Sequence, residues 1–247
     1  MAIPHPYKDL VSSLDEDVAR FFGWSVDEVR ERTKTSREER NRRWVEADPK
    51  TEEDRNALYS SLGELDLLKY AAWHQDDEEK MAIHDRAVAE ARKTGGVVLD
   101  CGGGIGDTTL VFAANGVYVV YVDFPGVCSD FARSRWERFG CLERVRPMTP
   151  EEFWEAPPEG FSLAASIDVL EHLENPVAHA SRYRELLTPG GHLFVTAHFV
   201  HNAQNPDHLP RNNAYHRVFG GEPKTAKRCV LTNLGFTRRK WFWYTRD

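Results

Sequence analysis

The stretch VVLDCGGGIGDTT, residues 97–109, restricts the possible folds more than any other part of this sequence. A short apolar run leads almost directly into four glycines, Gly102, Gly103, Gly104 and Gly106. The later runs VYVVYVD, FSLAASID and HLFVTAHF are equally short and apolar, and helical segments separate them. Such runs are typical of strands buried on both faces of a parallel sheet. The alternation of strand and helix therefore predicts an α/β fold with a doubly wound, mostly parallel sheet.

The first 94 residues have a different pattern, because they are strongly charged and helical throughout. Ser25 to Glu28 and Ser36 to Glu39 each fit a capping box, in which a hydroxyl and a carboxylate bond the first amides of a helix. We predict a helical cap or lid over residues 1–94 and a domain containing the sheet over residues 95–247. The predicted helices are residues 14–22, 25–33, 36–47, 51–73, 76–93, 107–114, 126–139, 176–187 and 225–234. FTRRKWFWY is the last predicted strand, and so little chain follows it that no seventh strand is evident.

The composition excludes several functional classes. The formal net charge is -7 and the pI is near 5.8, whereas a protein that coats nucleic acid needs a basic surface. Four cysteines without a Cys-x-x-Cys pair indicate neither a zinc site nor a disulfide framework. The sequence shows no signal peptide and no apolar stretch long enough to span a membrane. We therefore expect a cytoplasmic protein without nucleic-acid or membrane partners.

Three kinds of ligand compete for the glycine-rich stretch. A Walker phosphate-binding loop needs a lysine after its last glycine, and this stretch has none. The dinucleotide fingerprint fits poorly, because the third glycine comes one residue early and Asp107 holds its place. The run VLDxGxGxG, residues 98–106, instead closely resembles the first motif of the class I S-adenosylmethionine-dependent methyltransferases.

Two later segments carry the same resemblance. FSLAASIDVLEHLENP and RELLTPGGHLFVTAHF are similar to the fourth strand, its following loop and the fifth strand of that family. The likeness extends from about Val97 to Phe199. It implies the Rossmann-like fold of these methyltransferases, and S-adenosylmethionine as the cofactor.

The residues that would hold this cofactor follow from the motif positions. Glycines let the backbone approach a ligand, and the amides that open the next helix suit the methionine carboxylate. Asp123 ends the second strand, about twenty residues further on, where an acid accepts hydrogen bonds from ribose hydroxyls in doubly wound folds. Met148 and Thr149 stand where the family often has an acidic residue that contacts adenine. The predicted cofactor-binding residues are Asp100, Gly102, Gly104, Gly106, Asp123, Phe124, Met148, Thr149 and Asp168, with Tyr70 and Trp73 as a lid.

Methyl transfer requires a positioned acceptor and, where needed, removal of its proton. The candidate catalytic residues, at the ends of the fourth and fifth predicted strands, are Asp168, His172, His198 and His201. The segment HFVHNAQNPDHLPRNNAYH, residues 198–216, is rich in histidine, a residue that acts as a base near neutral pH. The predicted substrate-binding residues are His208, Tyr215 and His216. The histidine spacing matches no metal motif, so we predict no metal ion.

The sequence thus predicts an S-adenosylmethionine-dependent methyltransferase that methylates an oxygen or nitrogen of a small-molecule metabolite in tailoring metabolism. Other chemistry of the same cofactor, cyclisation or aminopropyl transfer, stays open because the fold also hosts it. A non-catalytic binding or scaffold protein is a further alternative, and the glycine spacing disfavours a nicotinamide oxidoreductase. The oligomeric state also stays open, with a homodimer as one option.

Overall fold

The computed structural model describes residues 4–75, 78–216, 218–219, 229–240 and 243–247. Its amino-terminal part is helical, as predicted. The helices before the first strand are α1 (Tyr7–Val11), α2 (Leu14–Phe22), α3 (Val26–Ala47), α4 (Glu52–Ser61), α5 (Gly63–His74) and α6 (Glu78–Thr94).

Two predicted helix boundaries in this part are wrong. Ser25 caps α3, since its hydroxyl accepts the amide of Glu28 at 3.1 Å, but Ser36 does not start a second helix. Ser36 lies inside α3 and donates its hydroxyl to the carbonyl of Thr33 at 3.0 Å, so α3 continues through both predicted segments. The predicted helix 51–73 is instead divided into α4 and α5 at Leu62, whose backbone leaves the helical region (φ -97°, ψ 6°).

The remaining elements alternate between strand and helix. They are β1 (Val97–Cys101), α7 (Asp107–Ala114), β2 (Tyr118–Val122), α8 (Val127–Arg138), β3 (Val145–Met148), α9 (Pro150–Glu155), β4 (Phe161–Ile167), α10 (Pro176–Leu186), β5 (Leu187–Thr196), α11 (Val230–Asn233), β6 (Phe236–Lys240) and β7 (Trp243–Arg246). Short 3-10 turns cover Leu170–His172 and Pro210–Tyr215. Of the predicted helix at 225–234, residues 225–228 lie outside the described residues.

The strands form one sheet in the order β3-β2-β1-β4-β5-β7-β6. β1 to β5 are parallel, while β7 runs antiparallel to both β5 and β6. The predicted doubly wound, mostly parallel α/β fold is confirmed. The strand order reverses between β1 and β4, which places a ligand crevice beyond their carboxyl ends.

The expectation that a seventh strand is missing is wrong. The run treated as one final strand contains β6 and begins β7, and the two pair antiparallel, with Phe236 opposite Arg246 and Lys240 opposite Trp243. The sequence between them has no Gly, Asn, Asp or Pro, the residues that usually indicate a hairpin turn. The antiparallel pair at the sheet edge is therefore present although its turn signal is not.

Hydrophobic side chains on the two faces of the sheet form two core clusters. Neighbouring residues of β1 point to opposite faces, so Val98 joins one cluster and Leu99 the other. The cluster around Val98 also contains Tyr7, Val18 and Leu67 of the amino-terminal helices. These helices thus share a hydrophobic core with one face of the sheet, while the division into domains at residue 94 stays a prediction.

Candidate functional site

The glycine loop, residues 102–106, connects β1 to α7 and lies against the end of β2. The amide of Gly102 donates to the last carbonyl of β2 at 2.8 Å. A Cβ atom at Gly103 would lie 2.4 Å from the ring of Tyr121, so a larger residue does not fit there. Gly104 has a φ of +54°, and no described atom lies within 4 Å of where its Cβ would be. The loop therefore packs tightly on one side and leaves its backbone accessible on the other.

Asp123 follows β2, and its carboxylate lies beside this loop. Oδ2 accepts the amide of Gly104 at 2.5 Å, and Oδ1 accepts the amide of Phe124 at 2.7 Å. Burial raises the pKa of Asp123 to about 6, although both hydrogen bonds favour the charged form. Each oxygen has a further lone pair with which to accept a ligand hydroxyl.

Two more carboxylates fix the start of α7. Asp100 is buried, and its Oδ2 accepts the hydroxyl of Thr109 at 2.7 Å. Asp107, also buried, bonds to Nδ1 of His74 at 2.5 Å and to the guanidinium of Arg135. Burial acts to raise the pKa of Asp107, but the charges of Arg135 and His74 hold it well below its usual range. These bonds hold the first turn of α7, with its free amides, in a fixed position beside the loop.

A cavity opens beyond the carboxyl ends of β1 and β4, where the strand order reverses. The glycine loop, the residues after β2, α4 and α5 all contribute to its lining. The predicted site residues in its lining are Tyr70, Trp73, Asp100, Gly102, Gly104, Asp123, Phe124, Asp168 and His172. Among the described residues, the predicted ones outside the lining are Gly106, Met148, Thr149, His198, His201, His208, Tyr215 and His216.

The predicted cofactor residues Met148, Thr149 and Gly106 make contacts within the protein. Thr149 caps α9, since its hydroxyl accepts the amide of Glu152 at 3.2 Å. Met148 packs into the core cluster that contains Leu99. Gly106 faces α8, where a Cβ would lie 2.5 Å from that of Ala132. Direct adenine contacts by Met148 and Thr149 stay a prediction.

His172 also lines the cavity, from the turn that follows β4. Its Nδ1 is 3.0 Å from the hydroxyl of Tyr59 and 3.2 Å from the carbonyl oxygen of Asp207. Burial lowers the pKa of His172 below its usual value. Asp168, just before this turn, has a φ of +55°, a strained conformation of the kind found at functional sites. Its Oδ1 accepts the hydroxyl of Thr196 at 2.8 Å.

The histidine-rich segment, residues 198–216, packs against His172 rather than lining the cavity. The rings of His172 and His208 are 4.8 Å apart, and Nδ1 of His201 bonds to the carbonyl of His208 at 2.7 Å. Tyr215 packs against aromatic neighbours, with a ring distance of 5.7 Å to Phe199. The direct substrate contacts of this segment therefore stay predictions.

Glu171, His172 and His208 bring a carboxylate oxygen and two ring nitrogens within 4.8 Å of one another. Burial, together with the charge of Asp168, raises the pKa of Glu171 to about 8. Oε2 of Glu171 and Nδ1 of His208 have no hydrogen-bond partner among the described residues. These side chains could share a metal ion, and the predicted absence of one stays a prediction.

The cavity fits an adenosyl sulfonium with an amino-acid tail. Asp123, a half-buried carboxylate with spare lone pairs, can accept hydrogen bonds from ligand hydroxyls. The amides that open α7 can donate to an anionic group.

Comparison with known proteins gives the same result. A family model described as "Methyltransferase domain" matches residues 72–226, more than half of the chain. This chain belongs to the class I S-adenosylmethionine-dependent methyltransferases. It is an enzyme of that family, and S-adenosylmethionine is its cofactor.

Several other methyltransferases are similar to this one. The ubiquinone biosynthesis O-methyltransferase of Pseudomonas paraeruginosa is 26% identical over 148 residues, which cover 57% of this chain and 63% of that protein. The enzyme of the same name from Xylella fastidiosa is 31% identical over 103 residues, 42% of each protein. The chain therefore spans less than two thirds of the length of these relatives. The solved O-methyltransferase of Bacillus cereus, in complex with SAH, is 22% identical, with 45% of this chain and 54% of that chain covered and a TM-score of 0.40.

Some side chains of this methyltransferase site could not be found by motif. Tyr59 and Arg55 of α4 and His74 of α5 all line the cavity. They come from the helical part before the recognisable motifs and reach the site through tertiary packing. In the described part of the methyltransferase, no helix has the length and apolarity needed to cross a membrane.

Proposed function

We propose that this methyltransferase methylates a hydroxyl oxygen of a small metabolite bound at the α4 end of the cavity, in tailoring metabolism. The observation that supports this is the shared cavity, which joins the glycine loop and Asp123 to the side chains around His172. The donor and the acceptor would then lie in one enclosed space, as in-line transfer requires.

The part of the cavity formed by the glycine loop and Asp123, the donor end, binds the cofactor in this proposal. Its residues are those that the sequence motifs predicted. Asp123 accepts the ribose hydroxyls, and the amides at the start of α7 bind the methionine carboxylate. Tyr70 and Trp73 of α5 line the same side of the cavity and cover the cofactor. When bound, S-adenosylmethionine supplies an electrophilic methyl carbon.

The acceptor end is polar and is built mostly by α4, which contributes Arg55, Asn56, Tyr59 and Ser60 to the lining. His172 stands beside them with its Nδ1 already engaged by Tyr59 and a main-chain carbonyl. Its Nε2 therefore takes the hydroxyl proton as the acceptor oxygen forms its new bond.

A small acceptor is favoured over a polymer because helices cover the cavity. α4 and α5 both contribute side chains to the lining, so the acceptor must fit among them. An oxygen acceptor is favoured because relatives of this chain are named O-methyltransferases.

The test is turnover of S-adenosylmethionine with a panel of small phenols, alcohols and amines, followed by mass spectrometry. We expect S-adenosylhomocysteine and an O-methylated product. Methylthioadenosine as the co-product, or methylation of nitrogen alone, would overturn the proposal.

His172→Gln tests the role of the acceptor end. We expect kcat to fall by about 100-fold or more, the range for a lost general base, with cofactor affinity within about twofold of wild type. The matched control is His179→Gln, since His179 lies on α10 outside the cavity lining and bonds to the carbonyl of Asn175 at 3.1 Å. Equal turnover by the two variants would remove His172 from the reaction.

A further inference from the structure

Asp207 is a buried charge in the histidine-rich segment to which the proposed reaction gives no role. It is 3% exposed. Arg40 of α3, itself 0% exposed, donates Nη2 to Oδ2 of Asp207 at 2.7 Å. The same guanidinium donates Nε to Oδ1 of Asp66 on α5 at 2.9 Å. Because a buried arginine shared by two carboxylates cannot leave either without a large penalty, Asp207 is held in one place.

His172 also lies beside Asp207. Its Nδ1 lies 3.2 Å from the main-chain oxygen of Asp207 and 3.7 Å from the carboxylate Oδ2. A carbonyl oxygen can only accept, so the bond to Asp207 forms in the tautomer whose Nδ1 carries the hydrogen. The hydroxyl of Tyr59, 3.0 Å from Nδ1, is compatible with that tautomer, since it can also accept. In that tautomer the lone pair of the neutral ring is on Nε2.

We propose that Asp207 is a positioning residue for His172, held in place by Arg40. Its carbonyl sets the ring orientation and the Nδ1–H tautomer, and its carboxylate stabilises the imidazolium that forms when Nε2 takes a proton. This inference rests on the proposed role of His172. It gives the amino-terminal helices a part in proton removal, because α3 supplies the arginine that holds the carboxylate.

Two measurements test it together. Nitrogen NMR of labelled histidine reports the tautomer of His172 without any acceptor, and steady-state kinetics separates kcat from KM. We expect the Nδ1–H tautomer in the wild type. Asp207→Asn should lower kcat at least tenfold while KM and cofactor affinity stay within twofold, because the amide keeps the shape but not the charge.

Matched controls separate positioning from stability. Glu39→Gln removes a carboxylate that pairs with Arg42 at 2.8 Å on the exposed face of the same helix, α3, and should leave kcat unchanged. If Asp207→Asn does not fold, the triple variant Arg40→Met/Asp66→Leu/Asp207→Leu removes the arginine with both of its carboxylate partners, a change that buried charge clusters often tolerate, and should show the same loss of kcat.

An Nε2–H tautomer in the wild type would overturn the inference. So would a folded Asp207→Asn enzyme whose turnover stays within twofold of wild type. Absence of methyl transfer with every acceptor would instead count against the proposed function, since the tautomer is read independently of turnover.

Discussion

Lowering the pH from 7.5 to 5 should weaken S-adenosylmethionine binding about tenfold, because the proposed ribose contact of Asp123 uses its ionised carboxylate. Its pKa of about 6 means that the free enzyme carries a charged carboxylate at pH 7.5 and a mostly protonated one at pH 5. Binding favours the charged form and must release that proton, so affinity falls as the pH falls through 6. The dissociation constant scales as one plus ten to the power of pKa minus pH, about 11 at pH 5 and about 1 at pH 7.5.

Calorimetric titration at pH 5, 6 and 7.5 measures this directly, and two buffers with different ionisation heats count the released protons. Asp123→Asn should bind more weakly at pH 7.5, by about 1.5–3 kcal/mol for hydrogen bonds to a lost charge, and should show almost no pH dependence. Asp130→Asn, an exposed carboxylate on α8, should behave as wild type. Wild-type affinity that stays constant from pH 5 to 7.5, or an equal slope in Asp123→Asn, would refute the reasoning.

Two further predictions concern the buried charges. Arg135→Met should lower the free energy of unfolding by about 3–5 kcal/mol, because two buried carboxylates each lose one of their partners, whereas exposed Arg133→Met should cost less than about 1 kcal/mol. Urea unfolding compares the two, and equal losses would contradict the prediction. A chelator should leave turnover unchanged, because the proposed transfer uses His172 as the base and needs no ion at Glu171. Lost turnover that added zinc restores would contradict this and place an ion at Glu171.

The sheet and the donor end of the cavity could be predicted from the sequence because both depend on local pattern. Short apolar runs indicate buried strands, and the glycines and Asp123 lie at strand ends, where parallel topology brings them together. The hairpin of β6 and β7 was missed for the same reason, since the sequence at its reversal lacks the usual turn residues. Sequence patterns thus predict those elements that residues close together in the chain determine.

The acceptor end depends on contacts that no local pattern contains. Tyr59 meets His172 across 113 residues of sequence, and Arg40 meets Asp207 across 167. The histidines of residues 198–216 stand out in the sequence by composition. The residue of this segment that contacts both His172 and Arg40, however, is Asp207. Such pairings become visible only when the amino-terminal helices are packed on the sheet.

Long-range ion pairs of this kind connect the amino-terminal helices α2 and α3 to both ends of the cavity. At the donor end, Arg135 joins Asp17 of α2 to Asp107 at the start of α7. At the acceptor end, Arg40 joins α3 to Asp207 and so to His172. Moving α2 away would break the buried Arg135–Asp17 pair, and moving α3 away would break the buried Arg40–Asp207 pair, each at a cost of about 3–5 kcal/mol. The packing of α2 and α3 on the rest of the fold is therefore coupled in free energy to the start of α7 and to Asp207.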